Sequence, residues 1–137
     1  MSEVRSAVFA VTTGDRLVTD LTGPVAEFAA EAGTDGLLHL LAPHATAGLA
    51  LIETGSGTEA DLDAVLRGLL PVDDRYAHRH GSLGHGRDHV APAFISPSLV
   101  LPVLGGEIQL GTWQSVVLVD PNRDNVERTV RLSFVEG

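Results

Sequence analysis

The stretch S-L-V-L-P-V-L-G-G-E-I-Q-L-G-T-W-Q, Ser98 to Gln114, decides how the chain folds. Ser98 to Val103 alternates as a strand does. Gly105-Gly106 makes a tight hairpin turn, and Glu107 to Leu110 runs back as its partner. Trp113 to Val119 is the next strand, with Val116, Val117 and Leu118 in succession. After a turn at Asp120-Pro121-Asn122, the last strand spans Val126 to Val135. Val126, Arg128, Val130, Leu132 and Phe134 share one of its faces. Strands that follow one another through short turns pair antiparallel.

Working back toward the N-terminus, Val4 to Thr13 reads as a strand with Val4, Ser6, Val8 and Ala10 on one face and Arg5, Ala7, Phe9 and Val11 on the other. Gly14-Asp15 is a turn signal, and Arg16 to Thr19 can pair back. Thr22 offers an N-cap with Pro24 close behind, and Gly33 is a natural stop, which predicts a helix between them. Gly36 to Ala42 is a buried strand, Pro43-His44 breaks it, and Ala45 to Glu53 is a second apolar run. Gly55-Ser56-Gly57 is a flexible turn before a helix with Thr58 as N-cap, Glu59 and Asp61 in its first turn, and the stripe Leu62, Val65, Leu66 and Leu69. Val90 to Ile95 carries Pro92 and is compatible with helix or edge strand. Two helices against about eight strands make an α+β chain whose mostly antiparallel sheet forms a sandwich or partial barrel. The 137 residues are expected to form one domain, residues 1–137.

Composition narrows the chemistry. There is no cysteine, so disulfides, thiolate metal sites and cysteine nucleophiles are excluded together. Any transition metal must use histidine with carboxylate or water. The net charge of −9 does not suit nucleic acid or anionic membrane, so no partner of either kind is expected. The N-terminal M-S-E-V-R-S-A-V lacks a secretory signal pattern. The longest apolar stretch, Gly36 to Ile52, is broken by His39, Pro43 and His44, and does not read as a membrane span. The expectation is a soluble cytoplasmic protein.

Tyr76 to Val90, Y-A-H-R-H-G-S-L-G-H-G-R-D-H-V, holds four of the six histidines, His78, His80, His85 and His89. Gly81, Gly84 and Gly86 argue against a regular element, so the segment is expected to be a loop. Several imidazoles on one loop can converge on a metal, and a solvated loop is the competing reading.

Three stretches resemble one known family, the YjbQ-like or secondary thiamine-phosphate synthase family. P-H-A-T-A-G-L-A-L-I-E (Pro43 to Glu53) resembles its His-hydroxyl signature ending in Asn-Glu. Tyr76-Ala77-His78 with Asp88-His89-Val90 resembles its Tyr-x-His loop and later Ala-His-Ile. Ser98 to Gln114 is similar to its proline-and-G-T-W-Q block. The resemblance implies a partly barrel-like α+β fold, a homotrimer, a histidine-lined metal site and weak thiamine-phosphate synthase activity in some members. This chain departs from the pattern at Ala45, Ile52, Gly55-Ser56-Gly57 and Asp88, and carries His80 and His85 in addition.

On the matched positions, His44, His78 and His89 are the expected metal ligands, and His80 is the rival of His78. Three imidazoles and water are the composition of an open catalytic zinc site, so the expected cofactor is a divalent metal, zinc by donor type. Glu53 is a candidate ligand, orienting group or general base, against a strand-end carboxylate facing water. Thr46 and Thr112 offer hydroxyls to phosphate or metal-bound water. Gln114 either orients a ligand or caps a turn. Arg123 and Arg128 resemble C-terminal arginines of the family, suited to a phosphate or equally to a solvated surface. His39 reads as a satisfied histidine within its strand, His80 and His85 as exposed loop residues or ligands of an accidental second site, and Trp113 as a core anchor. Asp88 is expected to face away from the site. The leading function is a metal-dependent enzyme acting on a small phosphorylated metabolite. The competing readings are a non-catalytic trimer that binds metal or anion, and a purely structural trimer.

Overall fold

A computed structural model describes residues 4–137; Met1, Ser2 and Glu3, part of the N-terminal stretch read above for a secretory signal, lie outside the described residues. The strands are β1 (Val4–Thr12), β2 (Val18–Asp20), β3 (Gly36–Leu41), β4 (Gly48–Ile52), β5 (Ser98–Leu104), β6 (Glu107–Ile108), β7 (Ser115–Val119) and β8 (Glu127–Glu136). The helices are α1 (Thr22–Ala32), α2 (Thr58–Leu69) and a short α3 (His85–Val90), which runs into a 3₁₀ turn at Ala91–Ala93. The strands form an antiparallel five-stranded sheet, β1-β8-β3-β5-β6, and a three-stranded sheet, β2-β7-β4. The α+β, antiparallel expectation holds. No helix among the described residues is long and apolar enough to cross a membrane.

Alternation sorts the side chains. In β8, Arg128, Val130, Leu132 and Phe134 all point inward, facing Val11 of β1 and Leu38 and Leu40 of β3. From β7, Val116 and Leu118 join this core, which α1 closes with Val25, Phe28 and Ala29. The other face of β7, Val117 and Val119, packs under Leu66 of α2 with Ile52 and Val18. Thus β7 is buried on both faces, which is why V-V-L-V reads as a continuous apolar run. The outer face of the five-stranded sheet keeps Val4, Val8, Leu37, Val100 and Val135 exposed.

Several local readings are corrected. Thr22 does not cap α1. Leu21 holds the N-cap position, and the Thr22 hydroxyl accepts a hydrogen bond from the Val116 amide instead (2.9 Å). Gly57, in left-handed backbone, precedes α2 in place of Thr58. Only Leu66 of the α2 stripe is buried, while Val65 and Leu69 face out because the helix rests on a narrow sheet. Trp113 is not a core anchor. A turn joins Gly111 to Gln114 and β7 starts only at Ser115, which leaves the indole 74% exposed. The hairpin turn stands as read, with Gly105 and Gly106 both at positive φ, and β6 is shorter than read. Leu118→Ala is expected to cost about 2–5 kcal/mol of stability and Val65→Ala under about 0.5 kcal/mol, as read by denaturant titration.

Candidate metal centre

The histidine segment is not all loop. Gly84 turns the chain with φ 86°, and α3 begins at His85. The glycine inside it serves close approach, since a Cβ on Gly86 would sit against the carbonyl oxygen of His78. That contact folds the two arms of the segment onto each other and gathers the imidazoles. His85 and His89 stand four residues apart on α3 and therefore share a face.

The four rings form a closed set. Centroid separations are 4.0 Å for His78–His89, 4.1 Å for His78–His80, 4.7 Å for His80–His85 and 4.8 Å for His85–His89. One ligand nitrogen each from His78, His80 and His85 lie within 4.8 Å of one another. The Nε2 atoms of His85 and His89 are 3.1 Å apart. Two lone pairs repel at that distance unless a proton or cation lies between them. Two nitrogens bound to one tetrahedral zinc at about 2.05 Å stand about 3.3 Å apart, so the spacing is metal-compatible.

Behind the rings lies the turn after β7. Asp124 accepts from Nδ1 of His85 at 2.7 Å and from the Ser82 amide at 3.1 Å. This assigns the proton to Nδ1 and leaves the Nε2 lone pair free, the carboxylate–histidine pairing of many metal sites. The Ser82 hydrogen bonds and His85 hold the Asp124 carboxyl below its usual range, so it is charged. Asn122 donates to Asp88 at 3.2 Å and lies 3.1 Å from His85 Nδ1. Burial pushes the Asp88 carboxyl up, against the opposing pull of Arg87 and Asn122. Desolvation, then the neighbouring imidazoles, lowers His78 and His89. These rings stay neutral, which is the form that ligates a metal.

The structure brings His78 and His89 together and adds His80 and His85. His85 is buried, not an exposed loop residue, because it lies on a helix; Asp88 stands outside the imidazole set, bonded to Arg87 and Asn122. His44 stands elsewhere, its Nε2 within 3.0 Å of both the N and O of Thr129. Glu53 is exposed beyond β4, and Thr112 is exposed before β7. Gln114 caps the turn, its Oε1 accepting from the Gly111 amide (2.8 Å). Arg128 is withdrawn into the core, with Nε 2.6 Å from Asp120 and Nη2 bonded to Thr46 (2.8 Å). Its place in the apolar row of β8 signals that burial. His39 is satisfied by Ser98 (2.7 Å). Sequence reasoning missed Asp124 and gave Asn122 only a place in a turn; the alternation Asp120-x-Asn122-x-Asp124 was their signal.

A family profile described as UPF0047 protein YjbQ-like matches residues 7–137. A UPF0047 protein of Mycobacterium tuberculosis is 58% identical over 130 residues, 95% of this chain and 97% of that protein. UPF0047 protein YjbQ of Escherichia coli O157:H7 is 37% identical over 84 residues, 61% of each. A crystal structure of a hypothetical protein from Aeropyrum pernix K1 superposes with TM-score 0.88 at 32% identity, covering 97% of this chain and 99% of that one. A protein of unknown function from Sulfolobus solfataricus P2, at TM-score 0.91 and 21% identity over all of both chains, shares the fold.

The donor set, four imidazoles with the nearest carboxylate engaged on an outer nitrogen, fits a nitrogen-preferring ion and not magnesium or calcium. Asp124→Asn is expected to weaken zinc binding about 10–100-fold without unfolding the chain, as measured by competition with a chromophoric chelator. His44→Ala is expected to leave zinc stoichiometry unchanged.

Proposed function

We propose, on the premise that this chain belongs to the UPF0047, YjbQ-like family, that it is a metal-dependent enzyme acting on a small phosphorylated metabolite. His78, His80 and His85, with His89 beside them, would hold the divalent ion, zinc by donor type. The observation that carries the reading is the closed set of four imidazoles with Asp124 fixing the tautomer of His85. A bound ion of this kind supplies Lewis acidity and lowers the pKa of water. The chain's own residues do the rest. Asp124 holds the Nδ1 proton of His85, and Asn122 donates to Asp88 while packing against the His85 ring.

An imidazole set favours hydrolysis or lyase chemistry over expulsion of diphosphate, which is normally assisted by magnesium on carboxylates. Thiamine-phosphate synthesis is therefore proposed as a weak side activity. Self-association, expected as a homotrimer from the family resemblance, is supported by the exposed outer face of the five-stranded sheet, where Val4, Val135, Leu37 and Pro102 lie in one cross-strand row beside Val100.

Untagged protein is expected to carry zinc and to hydrolyse phosphomonoesters. Activity should disappear with a chelator, return with zinc, and fall at least about 100-fold in His80→Ala and His85→Ala. Turnover absent across several metals while zinc stays bound would leave the non-catalytic binding reading. The particle is expected at three times 14.4 kDa by light scattering, and Leu37→Glu with Val100→Glu should reduce it to one chain.

A further inference from the structure

A second feature lies on the other side of the Ser82-Leu83 arm. A cavity of about 270 Å³ is bounded by the turn Gly14–Leu17, by α2, by α3 and by the turn after β7. Arg16, Arg67, Arg87 and Arg123 all line it. Arg87 is only 5% exposed. Its Nε donates to the Leu70 carbonyl (2.9 Å) and its Nη1 to Asp88 (3.3 Å), but its Nη2 has no partner among the described residues. A buried, charged donor without an acceptor is destabilising, so such a group calls for an oxygen that the described residues do not provide.

The carboxylates around the cavity do not cancel the guanidinium groups. Asp120 is met from behind by Arg128 at 2.6 Å, and Asp63 pairs with Arg67 at 3.0 Å. That leaves Arg16, Arg87 and Arg123 against Asp15 and Asp88, an excess of one positive charge even with Asp88 fully ionised. Arg16 spends Nη2 on the Thr12 carbonyl and Arg123 spends Nη1 on the Asp15 carbonyl, so both keep N–H groups free. In a chain of net charge −9 this local excess stands out.

We infer that this cavity binds a phosphoryl group, with Arg87 as the buried anchor and Arg16 and Arg123 closing on the remaining oxygens. Guanidinium forks match phosphate oxygens in pairs. The volume leaves room for a small organic remainder beside the phosphoryl group. Ser82 and Leu83 line both this cavity and the histidine-lined cleft, and Asn122 lines the cavity while touching His85. A phosphate held here would therefore have its ester end near the imidazoles. Only the identification of that phosphate with a substrate rests on the proposed enzymatic reading; the anion site stands on the arginines alone.

The test is calorimetric titration of inorganic phosphate into chelator-treated, metal-free protein. The expected result is one phosphate per chain, with affinity lowered roughly tenfold or more in each of Arg16→Gln and Arg123→Gln and lost in Arg87→Met, while Arg131→Gln on the outer sheet face binds as wild type. Should Arg87→Met fail to fold, the two exposed arginine variants decide. Equal affinity in Arg16→Gln, Arg123→Gln and wild type, or binding that appears only after zinc is restored, overturns the inference. Arginine-dependent binding in a protein that never takes up zinc would uphold the anion site and remove the enzymatic reading.

Discussion

The turn from Asp120 to Asp124 anchors both halves of the site. Its alternate side chains each grip a different element. Asp120 holds Arg128 at 2.6 Å, Asn122 reaches Asp88 and His85, and Asp124 holds His85 and the Ser82 amide. Asn122 also folds the turn on itself, accepting from the amides of Asp124 and Asn125 at 3.1 Å while its own amide donates to Asp120. A segment that carries glycines at 81, 84 and 86 has little intrinsic reason to keep four imidazoles together. The turn supplies that reason, and it is rigid because it leaves β7, the strand covered on both faces.

The Asp120–Arg128–Thr46 group closes the apolar core at the end nearest the site. Both charged partners are buried, so the pair is bidentate and hydrogen-bonded rather than a surface contact. Such a pair adds little net stability relative to apolar residues of the same shape, yet removing one partner leaves an uncompensated charge. It fixes where β8 begins relative to β7, and hence where the turn between them points its side chains. The exposed outer face of the five-stranded sheet lies on the opposite side of the core from β7.

Much of this was legible in order along the chain. The Gly105-Gly106 hairpin, the doubly apolar β7 and the inward row of β8 follow from period and turn chemistry, and the structure keeps them. The residues misread are those claimed by a tight turn, by a distant partner or by the face of the strand that carries them. Trp113 has the bulk of a core residue, but a hydrogen-bonded turn at Gly111–Gln114 holds it outside. Thr22 has the chemistry of a cap, yet the Val116 amide claims its hydroxyl across 94 residues. Arg128 has the chemistry of a phosphate ligand, yet the apolar row it belongs to carries it inward.

The amino-acid sequence alone determined the fold class, because alternation, two-residue turns and helix stops are local and their physics acts within a few residues. It also determined the kind of chemistry available, since a cysteine-free chain with four histidines in fifteen residues can offer only imidazole and oxygen donors. Tertiary structure alone decided which imidazoles meet, that Asp124 rather than Glu53 stands behind them, and that Arg87, a residue of the cavity wall, rather than Arg128 keeps a buried unpartnered nitrogen. The reason is that hydrogen bonds and burial at a site depend on distances between residues tens of positions apart, and no spacing along the chain encodes those until the sheets pack.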